Sequence, residues 1–212
     1  MVQTLKAGVA GAGVFGGYHA RKYAQLDGVQ LVAVFDLDLT RARALADPLG
    51  ARAFDDYAAF LAAVDVVTVA TPAVAHATPA LAALLSGKHT YVEKPLAVTT
   101  SDAAELVAAA KAGNLVLAVG HQERVVFGAM GLFDLPDAPL RLEAVRRGPP
   151  SPRNLDVSTA LDLMVHDIDL GLALARAQLN RVTAEGSADT LVASPTRDGK
   201  LSLINQVSSV GA

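Results

Sequence analysis

The chain contains no cysteine, which removes disulfide frameworks, thiolate metal sites, iron–sulfur clusters and cysteine nucleophiles together. That absence fits a reducing, cytoplasmic setting. An excess of either charge is also missing: 18 Lys and Arg stand against 21 Asp and Glu, a formal net charge of −3, so no bulk attraction to nucleic acid is expected. Charged residues are scarce at 18%, whereas 52% of the 212 residues are hydrophobic. This balance excludes an intrinsically disordered chain and allows one large domain or two small ones. Long apolar runs are lacking too. Mean hydropathy is +0.35, yet the richest stretch, 62–85, is broken by Asp65, Pro72, His76 and Pro79, so a membrane span of about 18 apolar residues does not fit. The N-terminal stretch is interrupted by Gly8, Gly11, Gly13, Gly16 and Gly17, and reads as a strand and a loop rather than a signal peptide. Alanine, about a fifth of the chain, carries much of the hydropathy and favours helices that pack closely on a sheet.

What is present alternates. Strand-length apolar runs at Leu5–Ala10, Leu31–Phe35, Val64–Ala70, Thr90–Val92 and Leu115–Val119 are separated by alanine-rich segments near 18–25, 39–47, 75–86 and 102–112. Such alternation predicts βαβ units and a doubly wound parallel sheet covered on both faces. Ser101 and Asp102 are placed to start the last of these helices and Gly113-Asn114 to end it. Beyond residue 120 the texture changes, which divides the chain into an α/β doubly wound domain, 1–120, and an α+β domain, 121–212. In the latter a helix is predicted from about Ser158 to Ala177 and a strand over Leu201–Val210.

Gly11-Ala12-Gly13-Val14-Phe15-Gly16 follows the first strand and opens a helix. Glycines at this spacing permit a tight turn, close backbone approach to a pyrophosphate and close packing of helix on strand. Asp36, 20 residues after Gly16 at the end of the second run, is where a carboxylate meets the adenosine ribose of a dinucleotide. Asp36 and Asp38 oppose a 2′-phosphate and favour NAD over NADP; Arg41 and Arg43 keep NADP open. Ala70-Thr71-Pro72 ends the Val64–Ala70 run at the carboxyl edge of the sheet, where ligands bind in open α/β folds. His76 reads either as a neighbour of that ligand or as an incidental histidine at a helix start. Glu93-Lys94-Pro95 leaves the next strand at the same edge, so Thr71, Pro72, His76 and Glu93 are candidate cofactor contacts. The Lys94 ammonium can polarise a substrate hydroxyl. On one continuous helix Asp162, His166 and Asp169 fall at i, i+4 and i+7, two carboxylates around one imidazole in apolar surroundings. That arrangement suits acid–base chemistry, a satisfied buried histidine or, less readily, a divalent metal; no metal is assigned. Arg124 and the Pro/Gly-rich stretch holding Arg146, Arg147 and Arg153 suit carboxylate or phosphate recognition.

In this order these segments resemble the Gfo/Idh/MocA family of sugar and polyol oxidoreductases, from about Leu5 to Leu174. The resemblance implies a Rossmann domain followed by a domain whose open sheet roofs the active site and mediates homo-oligomers. It also implies that Lys94 is the catalytic lysine, His166 the acid–base group and Asp162 its partner, with Arg124, Arg147, Arg153 and Asp169 toward the substrate. Arg146-Arg147-Gly148-Pro149, Asp156-Val157 and the 162–169 stretch look most like nucleotide-sugar members such as UDP-N-acetylglucosamine 3-dehydrogenases. Val125 and Val126 depart from the Phe-Asn that often follows Arg124 in the family, Met164 replaces a common glycine, and the second domain is shorter than the family's. The expectation is an NAD-dependent dehydrogenase acting on a secondary alcohol of a sugar; the alternative is a cofactor-binding regulator or scaffold of the same fold without turnover.

Overall fold

The computed structural model describes residues 4–137, 139, 141–148, 157–158, 160–175, 181–186, 190–197 and 201–209, with side chains up to 175 except at 141 and 146–148. Arg153 and Asp156 lie outside the described residues, as does the side chain of Arg147. The chain forms two compact units, 1–120 and 121–212.

The first unit holds strands β1 (Leu5–Ala10), β2 (Val29–Phe35), β3 (Arg52–Phe54), β4 (Val66–Val69), β5 (His89–Val92) and β6 (Leu117–Val119). Between them run α1 (Val14–Tyr23), α2 (Leu39–Ala46), α3 (Tyr57–Ala63), α4 (Ala77–Leu85) and α5 (Thr100–Ala112). Sheet order is β3-β2-β1-β4-β5-β6 and every pairing is parallel. This is the doubly wound Rossmann order, whose direction of winding reverses between β1 and β4. Val9, Val34, Val67, Val69 and Val92 are fully buried, because helices cover both faces of such a sheet.

All five predicted runs become strands, but β3 and α3 escape the sequence pattern. β3 is only three residues long, too short to show a period. α3 is started by Asp56, whose carboxylate accepts from the Ala59 amide at 3.0 Å, and it delivers Phe60 to the sheet. Phe60 sits among Phe35, Phe54 and Tyr57 with ring centroids 5.4–6.1 Å away. Gly8 makes this approach possible, since a Cβ there would lie 2.7 Å from both Phe60 and Val64. On the other face Val9, Ala20 and Leu31 pack together. The start of α5 also moves: Thr99, not Ser101, is the cap, its hydroxyl oxygen accepting from the Asp102 amide at 3.1 Å. Thr99 has the extended backbone a cap needs, φ −122° and ψ 151°, whereas Ser101 is already helical.

The second unit comprises α6 (Gln122–Ala129), β7 (Arg141–Gly148), a π-helical turn (Ala160–Met164) running into α7 (Val165–Ala175), then β8 (Arg181–Gly186), β9 (Thr190–Arg197) and β10 (Leu201–Ser209). Its sheet has the order β7-β10-β9-β8, parallel between β7 and β10 and antiparallel elsewhere. Arg146 and Arg147, expected in a stiff loop, belong to β7. The alternating Arg141-Leu142-Glu143-Ala144 is the strand signal that the neighbouring prolines obscured. The expected single α-helix around His166 is also corrected. A π turn bonds i to i+5 rather than i+4, so the α-helical offset between Asp162 and His166 does not hold across Met164-Val165.

Candidate active site

The glycine loop of the first unit is built almost wholly from backbone. Gly11 adopts φ +103°, and a Cβ there would fall 2.6 Å from the Ala70 carbonyl oxygen; its amide donates to the Phe35 carbonyl at 2.8 Å. A Cβ on Gly16 would fall 1.8 Å from the Gly11 oxygen, so α1 can lie this close to the turn only without a side chain there. Gly13 differs: the nearest atom to its missing Cβ is the Arg41 guanidinium at 3.9 Å. Gly13 caps α1 without a side-chain hydrogen bond, and Val14 and Phe15 are 57% and 41% exposed. A turn of amides therefore opens onto free space at the positive end of a helix, which fits a pyrophosphate. Beside it, Asp36 accepts from the Ala12 amide at 2.8 Å through one oxygen and from the Asp38 amide at 3.0 Å through the other. Each oxygen keeps a further lone pair for a ribose hydroxyl. Arg41 lies 3.9 Å from the same carboxylate, and Asp38 caps α2, accepting from Thr40 at 2.8 Å.

The loops after β4 and β5 meet at His76. Buried to 2% exposure, it places Nδ1 2.7 Å from the Pro95 carbonyl oxygen and Nε2 2.9 Å from that of Thr71. His76 does stand at the start of α4, and its ring nitrogens meet backbone carbonyls and tie together the two loops that carry Thr71 and Lys94. Pro72 introduces a short 3-10 turn, Ala73–Ala75, and the Thr71 hydroxyl donates to the Ala75 carbonyl at 3.0 Å. Glu93 meets a residue the sequence reading passed over, His19 on α1, at 2.6 Å between Nε2 and Oε1. His19 also tilts against Tyr91 with centroids 5.1 Å apart. A signal was available: His19 adjoins Gly16, Gly17 and Ala20, the small buried face by which α1 meets the sheet. A Cβ on Gly120 would come within 2.8 Å of the Tyr91 hydroxyl and 3.0 Å of Glu93. Burial, then the charge of Glu93, then Tyr23, push the Tyr91 phenol up to about 12.

In the second unit α6 and α7 share two charge contacts. His166, 7% exposed, sets Nδ1 2.6 Å from an oxygen of Glu123. Glu123 was quoted in the Gly120–Arg124 motif but not assigned a role; its position three residues before the helix centre gave no period to notice. Arg124 and Asp169, expected as two separate substrate contacts, bind each other through two hydrogen bonds of 2.6 Å, Nε and Nη2 donating to the two carboxylate oxygens. The bidentate bond to Asp169 raises the guanidinium pKa further above its already high ordinary value. His121 Nδ1 stands 3.7 Å from the same carboxylate. Among the described residues no group of three His, Asp or Glu side chains is arranged to hold a metal ion, and no helix is long and apolar enough to cross a membrane. Asp162 lies in the π turn and Asp167 is buried on α7.

Comparison with known proteins adds the rest. Residues 5–121 match the model of an oxidoreductase family with an NAD-binding Rossmann fold, Gfo/Idh/MocA. The UDP-N-acetylglucosamine 3-dehydrogenase of Acidithiobacillus ferrooxidans is 41% identical over 185 residues, covering 87% of this chain and 58% of its own. Its solved structure superposes with a TM-score of 0.90, covering 99% of this chain and 68% of that one. An inositol 2-dehydrogenase of Saccharopolyspora erythraea is 35% identical over 78% of this chain and 52% of its own length. A Lactobacillus casei myo-inositol dehydrogenase, solved with NAD(H) and myo-inositol, gives 26% identity and a TM-score of 0.83 over 98% of this chain and 68% of that one. The chain thus spans little more than half the length of the first two relatives.

Proposed function

The chain belongs to the Gfo/Idh/MocA oxidoreductase family with its NAD-binding Rossmann fold, and from that premise we propose an NAD-dependent dehydrogenase acting on a secondary alcohol of a nucleotide sugar. The observation that carries the reading is the glycine cradle, closed by backbone and open only at Gly13, together with Glu93-Lys94-Pro95 leaving β5 at the same carboxyl edge of the first sheet. Gly11, Gly13, Val14, Phe15 and Gly16 would hold the pyrophosphate, Asp36 the ribose, and the Thr71-Pro72 loop the next part of the dinucleotide. NAD is preferred because Asp36 directly follows β2 with Asp38 behind it, and Arg41 is already drawn toward Asp36. When bound, the nicotinamide supplies the hydride acceptor.

The residues supply the proton chemistry. The Glu123 carboxylate, 2.6 Å from Nδ1 of His166, favours a proton on that nitrogen and so leaves the basic lone pair on Nε2. His166 is then the group that takes the hydroxyl proton, and the Lys94 ammonium stabilises the developing alkoxide. Asp162 orients the substrate or the imidazole, and Arg124, Arg147, Arg153 and Asp169 serve the diphosphate and sugar. The relative named for UDP-N-acetylglucosamine supports this substrate class, as does the basic run in β7 and beyond it. We further propose a cytoplasmic homo-oligomer assembled through the second sheet. NADH absorbance followed with UDP-sugars, free sugars and inositols tests the reading. NADH formation only with a UDP-sugar is the expected result. Tight NADH binding without turnover on any of them returns the binding-only alternative.

A further inference from the structure

Lys94 stands just beyond the last ladder pair of β5, Val69 with Val92, where the sheet no longer fixes the backbone. The Glu93 amide still donates to the Val69 carbonyl at 2.9 Å. The residues on either side of Lys94 are each held by an imidazole from a different element. His19 of α1 meets the Glu93 carboxylate at 2.6 Å, and His76, between the 3-10 turn and α4, meets the Pro95 carbonyl at 2.7 Å. Neither contact is a loose surface pairing: the side chains of His19 and Glu93 are 23% and 14% exposed, and His76 is 2% exposed. Gly120 completes the seat of Glu93, since a Cβ there would press on both Glu93 and Tyr91. His76 also reaches the Thr71 carbonyl, so the same ring sets the loop after β4 and the loop after β5 relative to each other.

We propose that His19 and His76 are positioning residues for Lys94, a two-sided clamp that holds its ammonium in register with the bound dinucleotide. The proposal rests on the reading of Lys94 as the residue that polarises the substrate. A displacement of about 1 Å at a reacting group is enough to cost a hundredfold in rate, so the placing of the two chain neighbours of Lys94 bears directly on turnover. His19 uses Nε2, a place that a Gln amide can fill; the Pro95 contact of His76 uses Nδ1, which an Asn amide can fill.

The test compares His19→Ala, His76→Ala, His19→Gln and His76→Asn in the ligand-free chain. Trace acylation with acetic anhydride, read by peptide mass spectrometry, gives the reactivity of Lys94 relative to Lys88 and Lys111. The clamp predicts a several-fold change at Lys94 in both Ala variants, with the reference lysines unchanged and recovery toward the parent in the Gln and Asn variants. NADH affinity should stay within about threefold, while kcat on the active sugar falls roughly ten- to a hundredfold at unchanged sugar KM. Unaltered Lys94 reactivity in folded Ala variants overturns the proposal. Should the Ala variants fail to unfold cooperatively, Glu93→Gln, which removes the charge facing His19, decides it by the same labelling: a several-fold change at Lys94 supports the clamp and unaltered reactivity overturns it. Lys94→Ala with full turnover would sink the catalytic reading alone, and the labelling would still judge the clamp.

Discussion

In the first unit His76 is 2% exposed and meets two backbone carbonyls, whereas in the second His166 is 7% exposed and meets a carboxylate. The contrast extends to their surroundings. Around His76 the glycine loop, Asp36 and the β4 and β5 edges are joined chiefly by amides and carbonyls. Around His166 the α6–α7 pair is joined by Glu123 and by the Arg124–Asp169 fork. Backbone contacts hold a shape, because dipoles on a fixed chain cannot rearrange cheaply. A carboxylate beside an imidazole orients the ring instead, because it favours a proton on the nearer nitrogen. On the proposed function, the first unit receives the dinucleotide and the second supplies the proton chemistry.

The largest effect should come from attacking the shape. Gly16→Ala places a methyl 1.8 Å from the Gly11 oxygen and should destabilise the first unit by about 3 kcal/mol or more. NADH titration should show binding weakened at least about a hundredfold, since α1 and the turn must separate. Gly13→Ala meets nothing nearer than 3.9 Å, so denaturant unfolding should change by less than about 1 kcal/mol while NADH binding still weakens. Equal stability losses at the two positions would refute a cradle made by backbone proximity.

Next comes the proton. His166→Ala should lower kcat by about a hundred- to a thousandfold, and Glu123→Gln by roughly tenfold, with NADH affinity retained in both. If Glu123→Gln left kcat at the parent value, the contact would be a packing feature and the two buried histidines would be less different than they look.

The two units were not equally legible in the amino-acid order. Gly11, Gly16 and Asp36 announce themselves because backbone geometry restricts those positions to one residue type or one charge, and the apolar runs of a two-sided sheet need no partner to be read. β3 and α3 were lost because three residues carry no period and Asp56 looks like any loop acid. The α6–α7 site was legible in its members and not in its pairings. Spacing on an ideal helix put Asp162, His166 and Asp169 on one face, but the π turn changed the register, and Asp169 found Arg124, 45 residues away. His19 and Glu93, 74 apart, were hidden for the same reason: a contact between distant segments leaves no local pattern.

A smaller effect separates pairing from substrate contact. Arg124 is 54% exposed on its side chain and Asp169 11%, so solvent screens the fork. A double-mutant cycle of Arg124→Ala and Asp169→Ala should give a stability coupling of about 0.5–1.5 kcal/mol, smaller at high salt. Zero coupling, with a raised KM for the sugar nucleotide in Arg124→Ala, would make the arginine a substrate contact first and a helix tie second.

The smallest effect uses alkali to distinguish the units. All four tyrosines, Tyr18, Tyr23, Tyr57 and Tyr91, lie in the first. Burial raises Tyr23 and Tyr57 above the ordinary phenol value, and burial followed by the charge of Glu93 takes Tyr91 to about 12. A phenol whose folded pKa exceeds its unfolded value of 10.0 stabilises the fold fully below that value. The contribution is lost as pH rises from there toward 12, since the unfolded chain ionises first. Tyr91 is only partly buried, so water screens it and its share is modest. Tyr91→Phe should accordingly flatten the fall of stability over that window, measured by denaturant melts at stepped pH, without altering NADH binding at neutral pH. An unchanged slope would mean that the phenol ionises without strain beside Glu93, and that the first unit tolerates a new charge at its most tightly built edge.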